Sequence, residues 1–185
     1  EKNPLMILSR TTDALLSPEE PYEKDGLVSN IVFPSGALSQ DDTLSVYYGG
    51  ADTVSCLATC SLSALSREMV PEKPSETVNF NQEIGPIMFR RFEENPILRP
   101  VADHAWEKLA VFNPAACVED GKIRLFYRAM SDAYVSSFGY AESQDGYHIS
   151  VRSNDPVYQP HESFERNNTG SHYGCEDPRI TKIDE

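Results

Sequence analysis

The chain has 185 residues, enough for one domain or parts of two, and 39% of them are hydrophobic and 24% charged. This composition is typical of a globular protein and excludes a disordered chain. A formal net charge of -13 disfavours a nucleic acid or an anionic membrane surface as a partner, because both are negatively charged. It leaves room for a small anion in a local basic pocket.

An internal repeat organises the predicted strands. Residues 32–37 read VFPSGA and residues 111–116 read VFNPAA, and a strand-like segment of alternating aliphatic and aromatic side chains follows each. Turn residues separate the strands of each copy, and the pair Asp120-Gly121 is a strong hairpin signal. The predicted strands cover residues 32–37, 44–48 and 54–59 in the first copy and 111–116, 123–127 and 135–143 in the second.

The stretch between the two copies predicts a helix and then a linker. Residues 61–69 have a helical pattern, and Pro71 forbids its extension. Residues 70–77, VPEKPSET, are rich in proline and charge, which is typical of a linker. The chain is thereby divided into residues 1–69 and residues 78–185.

Each copy predicts three or four short antiparallel strands over roughly 40 residues, the size of one β-propeller blade. The predicted fold class is therefore all-β, with the chain forming part of a β-propeller. A β-sandwich would have similar short strands and stays open as the alternative.

The second part of the chain carries several motifs in a fixed order. They read FRRF at 89–92, NPILRP at 95–100, VFNPAA at 111–116, LFYRA at 125–129 and GCEDPR at 174–179. This series resembles the opening half of the β-mannoside phosphorylases of glycoside hydrolase family 130, a family that includes β-1,4-mannoside and mannosylglucose phosphorylases. The resemblance implies a five-bladed β-propeller, of which this chain would hold only part.

The first part resembles the closing blade of the same family. The motifs are PYE at 21–23, NIVFPSG at 30–36 and YYGGADT at 47–53. The closing segment thus precedes the opening segment, as at the junction of two tandem copies or in a permuted propeller. The tandem junction is favoured at this stage, because 185 residues cannot supply five blades of roughly 40 residues each.

The resemblance also implies the chemistry. Asp177 is the expected catalytic acid of an inverting phosphorylase, which cleaves β-mannosides with inorganic phosphate and releases mannose 1-phosphate. The proton is expected to pass from the aspartate through a sugar hydroxyl to the bridging oxygen. Because phosphate is already an anionic nucleophile, the second carboxylate that an inverting hydrolase needs is dispensable. The neighbouring Glu176 would raise the pKa of Asp177 by like-charge repulsion, whereas Arg179 would lower it. The sequence leaves open which of these two effects is larger.

Further residues are predicted to contact the substrate. Either Tyr47 or Tyr48 is expected to stack on a sugar, because alternation in a strand turns the other one into the core. Asp52 would belong to the preceding copy, and so need not share a pocket with Asp177. The predicted substrate-binding residues are Asn113, Arg128, Asp52, Glu176, Arg179, Tyr48 and His104, the last beside Trp106.

The family's phosphate-binding residues lie mainly downstream of the EDPR motif, beyond Glu185. A β-mannoside hydrolase of the same family and a non-catalytic carbohydrate-binding propeller module therefore stay open as alternatives, and the isolated chain is expected to be inactive. No metal or organic cofactor is expected, since the four cysteines and the histidines do not form a zinc-ligand pattern. Self-association into a homo-oligomer stays open. Unpaired cysteines and the lack of a signal sequence predict a cytoplasmic location.

Overall fold

The computed structural model describes residues 9–71, 89–166 and 173–183, and this part of the chain is all-β with antiparallel sheets. No helix in these ranges is long and apolar enough to cross a membrane. The elements in chain order are β1 (Ser9–Arg10), α1 (Pro21–Lys24), β2 (Val32–Gln40), β3 (Thr43–Gly50), β4 (Val54–Ser61), α2 (Leu62–Glu68), β5 (Val70–Pro71), β6 (Arg90–Arg91), β7 (Ala110–Glu119), β8 (Lys122–Met130), β9 (Val135–Ser143), β10 (Ile149–Arg152) and β11 (Tyr173–Gly174).

Two main sheets correspond to the two copies of the repeat. The first sheet has the strand order β2-β3-β4-β6, and the second has the order β10-β9-β8-β7, with β11 paired to β9. Asp120 and Gly121, between β7 and β8, have φ angles of 51° and 71°, as the hairpin predicted at this dipeptide requires. The strands and the helix predicted from the sequence are confirmed.

The first sheet takes its fourth strand from the second part of the chain. Strand β6 pairs antiparallel with β4, and the backbone N–H of Phe92 then donates to the carbonyl of Leu57 at 2.9 Å. The side chain of Asn95 both accepts from the Leu57 N–H and donates to the Leu57 carbonyl. Residues on the two sides of the predicted linker are therefore integrated in one sheet. Residues 70–71 form β5, which pairs with β1, and the rest of the predicted linker lies outside the described residues.

The two sheets pack face to face over one apolar core. Tyr47 and Leu57 of the first sheet pack there with Leu125 and Tyr127 of the second. Where β2 meets β7, Gly36 lies so close to the Pro114 carbonyl that an added Cβ would be only 2.7 Å from its oxygen. This close approach connects the edge strands β2 and β7, which are equivalent in the repeat.

A buried carboxylate in helix α1 binds side chains of the first sheet. Glu23, at the end of the short helix α1, is fully buried and pairs with Arg91 of β6 at 2.7 Å. It also accepts the hydroxyl of Tyr48 at 2.8 Å and the backbone N–H groups of Glu19 and Glu20. Burial opposes ionisation of Glu23, but these donors prevail and hold its pKa below the ordinary value. The ion pair thus joins residues from both sides of the predicted linker.

Candidate active site

Three of the predicted site residues have left-handed backbone. The φ angles of Asp52, Asn113 and Asp177 are 51°, 50° and 48°. Asparagine and aspartate tolerate this region better than other residues with a side chain, but it still costs free energy that the surrounding structure must supply. Such backbone is concentrated at functional sites. Here it marks the turn after β3, an irregularity in β7 and the segment after β11.

Asn113 connects β7 to the segment that carries Asp177. The register of β7 against β8 shifts between Phe112 and Ala115, and Asn113 lies in this bulge. Its side chain is only 3% exposed, and Nδ2 donates a hydrogen bond to Oδ1 of Asp177 at 2.9 Å. Its Oδ1 has no hydrogen-bond partner among the described residues and lies against Gly49 of the first sheet. The orientation of Asp177 is thus coupled to both sheets.

Arg128 is the buried cation of the site. Its Nη2 pairs with Oε1 of Glu176 at 2.7 Å, and its Nη1 lies 3.4 Å from Oδ1 of Asp177. Its Nε donates to Oγ of Ser136 at 3.0 Å, and the guanidinium lies 4.8 Å from the centre of the Phe112 ring. One guanidinium therefore orients both acids of the EDPR motif.

Asp52 lies within electrostatic reach of the same groups. Burial raises the pKa of Asp52, the charge of Arg128 lowers it, and the carboxylates of Asp177 and Glu176 raise it again. The net result is a pKa above the ordinary value for aspartate. Asp52 and Arg128 line one cavity, and Arg128 contacts Asp177, so the structure brings Asp52 near Asp177 although they come from different parts of the chain.

Arg179 and His104, which were also predicted to bind the substrate, contact other groups than the site residues above do. Arg179 is exposed, and its Nη1 donates to the backbone carbonyls of Asp177 and Pro178. His104 pairs through Nδ1 with the fully buried Glu107 at 2.6 Å and stacks on Trp106. None of the contacts found for His104 in the described part of the chain is with Asp52, Asn113, Arg128 or Asp177.

The prediction that Tyr47 or Tyr48 stacks on a sugar is wrong for this structure, because both side chains are fully buried. Alternation turns them to opposite faces of β3, as expected, but both faces are covered. The hydroxyl of Tyr47 donates to the carbonyl of Gly146, in the loop between β9 and β10, and that of Tyr48 donates to Glu23 of α1.

Sequence reasoning missed two residues of the site. Ser136 is fully buried in β9 and holds Nε of Arg128, but a serine inside a strand carries no signal of such a role. Tyr134, in the turn between β8 and β9, is 40% exposed and has a φ angle of 59°. It borders a cavity of about 650 Å³, whose lining residues are Leu27, Val28, Asp52, Phe112, Arg128, Met130 and Tyr134.

Within residues 9–71, 89–166 and 173–183, no group of three or more His, Cys, Asp and Glu side chains is arranged to hold a metal ion. The site instead combines carboxylates, an amide and a guanidinium beside a partly apolar cavity. Glycosidases and glycoside phosphorylases use carboxylates in this way to protonate a leaving oxygen.

Comparison with known proteins identifies the family. The sequence profile of the β-1,4-mannooligosaccharide phosphorylases, glycoside hydrolase family 130, matches residues 1–68 and 88–185. The chain belongs to this family of glycoside phosphorylases, as the motifs predicted.

Curated relatives agree with this assignment. A β-1,2-mannobiose phosphorylase from Thermoanaerobacter sp. (strain X514) is 42% identical over 115 residues, covering 52% of this chain and 35% of the relative. A 1,2-β-oligomannan phosphorylase from the same organism is 38% identical over 105 residues, covering 53% of this chain and 33% of the relative. The chain thus spans about a third of the length of these relatives.

Solved structures match less closely. A glycosyl hydrolase from Bacteroides ovatus is 34% identical with a TM-score of 0.44, over 49% of this chain and 29% of that one. A GH43_1 enzyme from Xanthomonas citri is 14% identical with a TM-score of 0.44, over 69% of this chain and 34% of that one.

Proposed function

We propose that this chain supplies the proton donor and part of the sugar-binding surface of an inverting glycoside phosphorylase, which cleaves β-mannosides with inorganic phosphate and releases mannose 1-phosphate. Family membership and the curated phosphorylases support the reaction class. The observation that carries the proposal is the contact of Asp177 with both Asn113 and Arg128 beside Asp52.

In this reaction Asp177 gives its proton, by way of a sugar hydroxyl, to the oxygen that leaves the anomeric carbon. Phosphate attacks the same carbon from the opposite side, so the configuration inverts. The Nδ2–H of Asn113 and the guanidinium of Arg128 already point at the Asp177 carboxyl, and so stabilise the negative charge that remains there after the proton leaves. Asp52 and Arg128 bind hydroxyl groups of the sugar, with Glu176 and Ser136 fixing the guanidinium.

We also propose that the two sheets are neighbouring blades of a five-bladed β-propeller. Each sheet has a run of four antiparallel strands, to which the second adds β11 parallel to β9, and these runs and the face-to-face packing support this fold. Asp52 and Arg128 line one cavity, and Arg128 contacts Asp177, which supports one shared active site for the two segments. A permuted ring accounts for this better than a tandem junction, in which the two aspartates would serve different sites.

A β-mannoside hydrolase is the second candidate. An inverting hydrolase needs a second carboxylate to activate water, and Asp52 is a second carboxylate in the same site. Under this alternative, Asp52 takes a proton from water and free mannose is the product. Phosphate would then have no effect on turnover.

The test is product analysis with a longer protein that contains this chain, supplied with β-1,4- or β-1,2-mannobiose in the presence and absence of phosphate. The proposal predicts mannose 1-phosphate, with turnover that depends on phosphate. Phosphate-independent hydrolysis to mannose, abolished in Asp52→Asn and replaced by formation of mannosyl azide when azide is added as the nucleophile, would establish the hydrolase instead. Binding without any product, unchanged in Asp177→Asn, would leave only a carbohydrate-binding module.

Location is a separate proposal. We propose that the protein works in the cytoplasm, and the four cysteines, which all have free thiols, support a reducing compartment. Fractionation of cells that express the native protein tests it, and recovery outside the cytoplasm would contradict it.

A further inference from the structure

The cavity beside Asp52 is lined by charged and by apolar side chains. Asp52 and Arg128 are charged, whereas Leu27, Val28 and Tyr134 present half-exposed apolar surface to it. Its volume of about 650 Å³ lies in the ordinary range for small-ligand sites. A sugar has the same division, because its hydroxyl groups lie around the ring and its C–H groups form apolar faces. The cavity therefore suits a sugar unit placed with its hydroxyls toward the charged side chains.

The first apolar wall is built on the turn that carries Asp52. The backbone N–H of Leu27 donates to Oγ1 of Thr53 at 3.0 Å, and that of Val28 donates to the Ala51 carbonyl at 3.2 Å. Oγ1 of Thr53 in turn donates to the Ala51 carbonyl. Leu27 and Val28 are thus held in a fixed relation to the carboxylate of Asp52, which lies between Ala51 and Thr53.

Tyr134 also lines the cavity, and its backbone is hydrogen-bonded to β11, the strand that precedes Asp177. Its N–H donates to the Ser131 carbonyl, and its own carbonyl accepts from the N–H of Tyr173 in β11. A φ angle of 59° is unfavourable for an aromatic residue, so the turn holds the ring in place at a cost in free energy. The ring is 40% exposed and lines the cavity, so a ligand bound there can contact it.

We propose that Tyr134 is a sugar-contacting residue, whose ring lies on the C–H face of the mannosyl unit bound by Asp52 and Arg128, in the cavity that Leu27 and Val28 also line. This inference rests on the proposed function. A β-mannopyranosyl ring carries axial hydrogens at C1, C3 and C5 on one face and its axial 2-hydroxyl on the other. An aromatic ring fits the first face, and contact with the second would desolvate a hydroxyl without giving it a partner.

The experiment is an NMR titration of a longer protein that contains this chain with β-1,2-mannobiose and β-1,4-mannobiose. Three variants separate the ring from the backbone. Tyr134→Phe keeps the ring, whereas Tyr134→Asn removes it but keeps a residue that tolerates left-handed backbone. Phe164→Ala is the matched control, because it removes an exposed aromatic side chain that does not line the cavity.

The expected result is a Kd about tenfold higher in Tyr134→Asn, with Tyr134→Phe within about twofold of the parent and Phe164→Ala unchanged. Saturation transfer from aromatic protein protons should reach the mannosyl C1, C3 and C5 hydrogens in the parent and be lost in Tyr134→Asn. Equal binding by parent and Tyr134→Asn would overturn the role of Tyr134 and leave the proposed function intact. No binding of either disaccharide by the parent protein would overturn both.

Discussion

Asn113 donates a hydrogen bond from Nδ2 to Oδ1 of Asp177 at 2.9 Å, and both residues have left-handed backbone. One lies in a bulge of β7 and the other follows β11, so the contact joins β7 of the second sheet to the EDPR motif. Because the other side of the Asn113 amide lies against Gly49, this relationship extends to the first sheet. Asp177 is therefore positioned by residues of both sheets.

Replacing Asn113 by glycine tests the hydrogen bond without penalising the backbone, because glycine adopts positive φ freely. We expect kcat of a longer protein that contains this chain to fall about 10- to 100-fold, the usual effect of losing a hydrogen bond to a charged group. Asn30→Gly is the matched control, since Asn30 also has positive φ but lies outside the site. Full kcat in Asn113→Gly would show that the amide does not support Asp177.

Replacing Gly49 by alanine should disturb the site from the first sheet. The added Cβ would overlap Oδ1 of Asn113 and push its amide away from Asp177. We expect turnover to fall at least tenfold, measured as kcat in the longer protein. Gly121→Ala is the control, because its Cβ meets no atom within 4 Å and only its φ angle of +71° is unfavourable. That variant should lose about 1 kcal/mol of stability and keep its turnover. Equal turnover in both variants would contradict the coupling.

The buried ion pair of Glu23 with Arg91 predicts how stability depends on pH. Because the pKa of Glu23 is lowered in the folded state, its contribution is present at neutral pH and is lost as pH falls from about 4.5 through the folded pKa. Glu23→Gln should lower the free energy of unfolding at pH 7 by about 3 kcal/mol and flatten the acid side of the stability profile. The exposed Glu93→Gln should change it by less than about 0.5 kcal/mol. Denaturant unfolding between pH 3 and pH 7 measures both, and an unchanged profile in Glu23→Gln would refute the assignment.

The pairing of β4 with β6 predicts that the two parts of the chain stay together after a cut between them. A protease site inserted between residues 72 and 88 allows the cleavage, and size-exclusion chromatography measures the product. We expect the cut protein to elute as one species, because β6, Asn95 and the Glu23–Arg91 ion pair join the two parts. Adding Arg91→Ala should promote dissociation. Separation of the cut parent protein into two halves would contradict the packing.

The strands were predictable because their signals are local. Alternating side chains, the Asp120-Gly121 turn and the Pro71 stop are each contained in a few consecutive residues, and the structure agrees with all three. The fourth strand of the first sheet was not predictable. Strand β6 has only two residues and pairs across the predicted linker, so it has neither a periodic pattern nor a nearby partner.

The site was predictable only as a set of residues. The resemblance of the motifs pointed to Asp177, Asn113 and Arg128, and in the structure Asn113 and Arg128 both contact Asp177. The catalytic and binding roles of these residues stay predictions. The place of Asp52 depends on how the two sheets pack, which no local pattern specifies. Tyr48 was misassigned because alternation separates the two faces of a strand, but does not say that both faces are covered.

The most direct test of the account is the turnover of Asp177→Asn, measured as mannose 1-phosphate released from a β-mannobiose by a longer protein that contains this chain. The amide keeps the shape of the side chain but has no acidic proton to give. The account predicts that kcat falls by about 10²- to 10⁴-fold while binding of the disaccharide persists. Turnover equal to that of the parent would contradict the assignment of Asp177 as the proton donor.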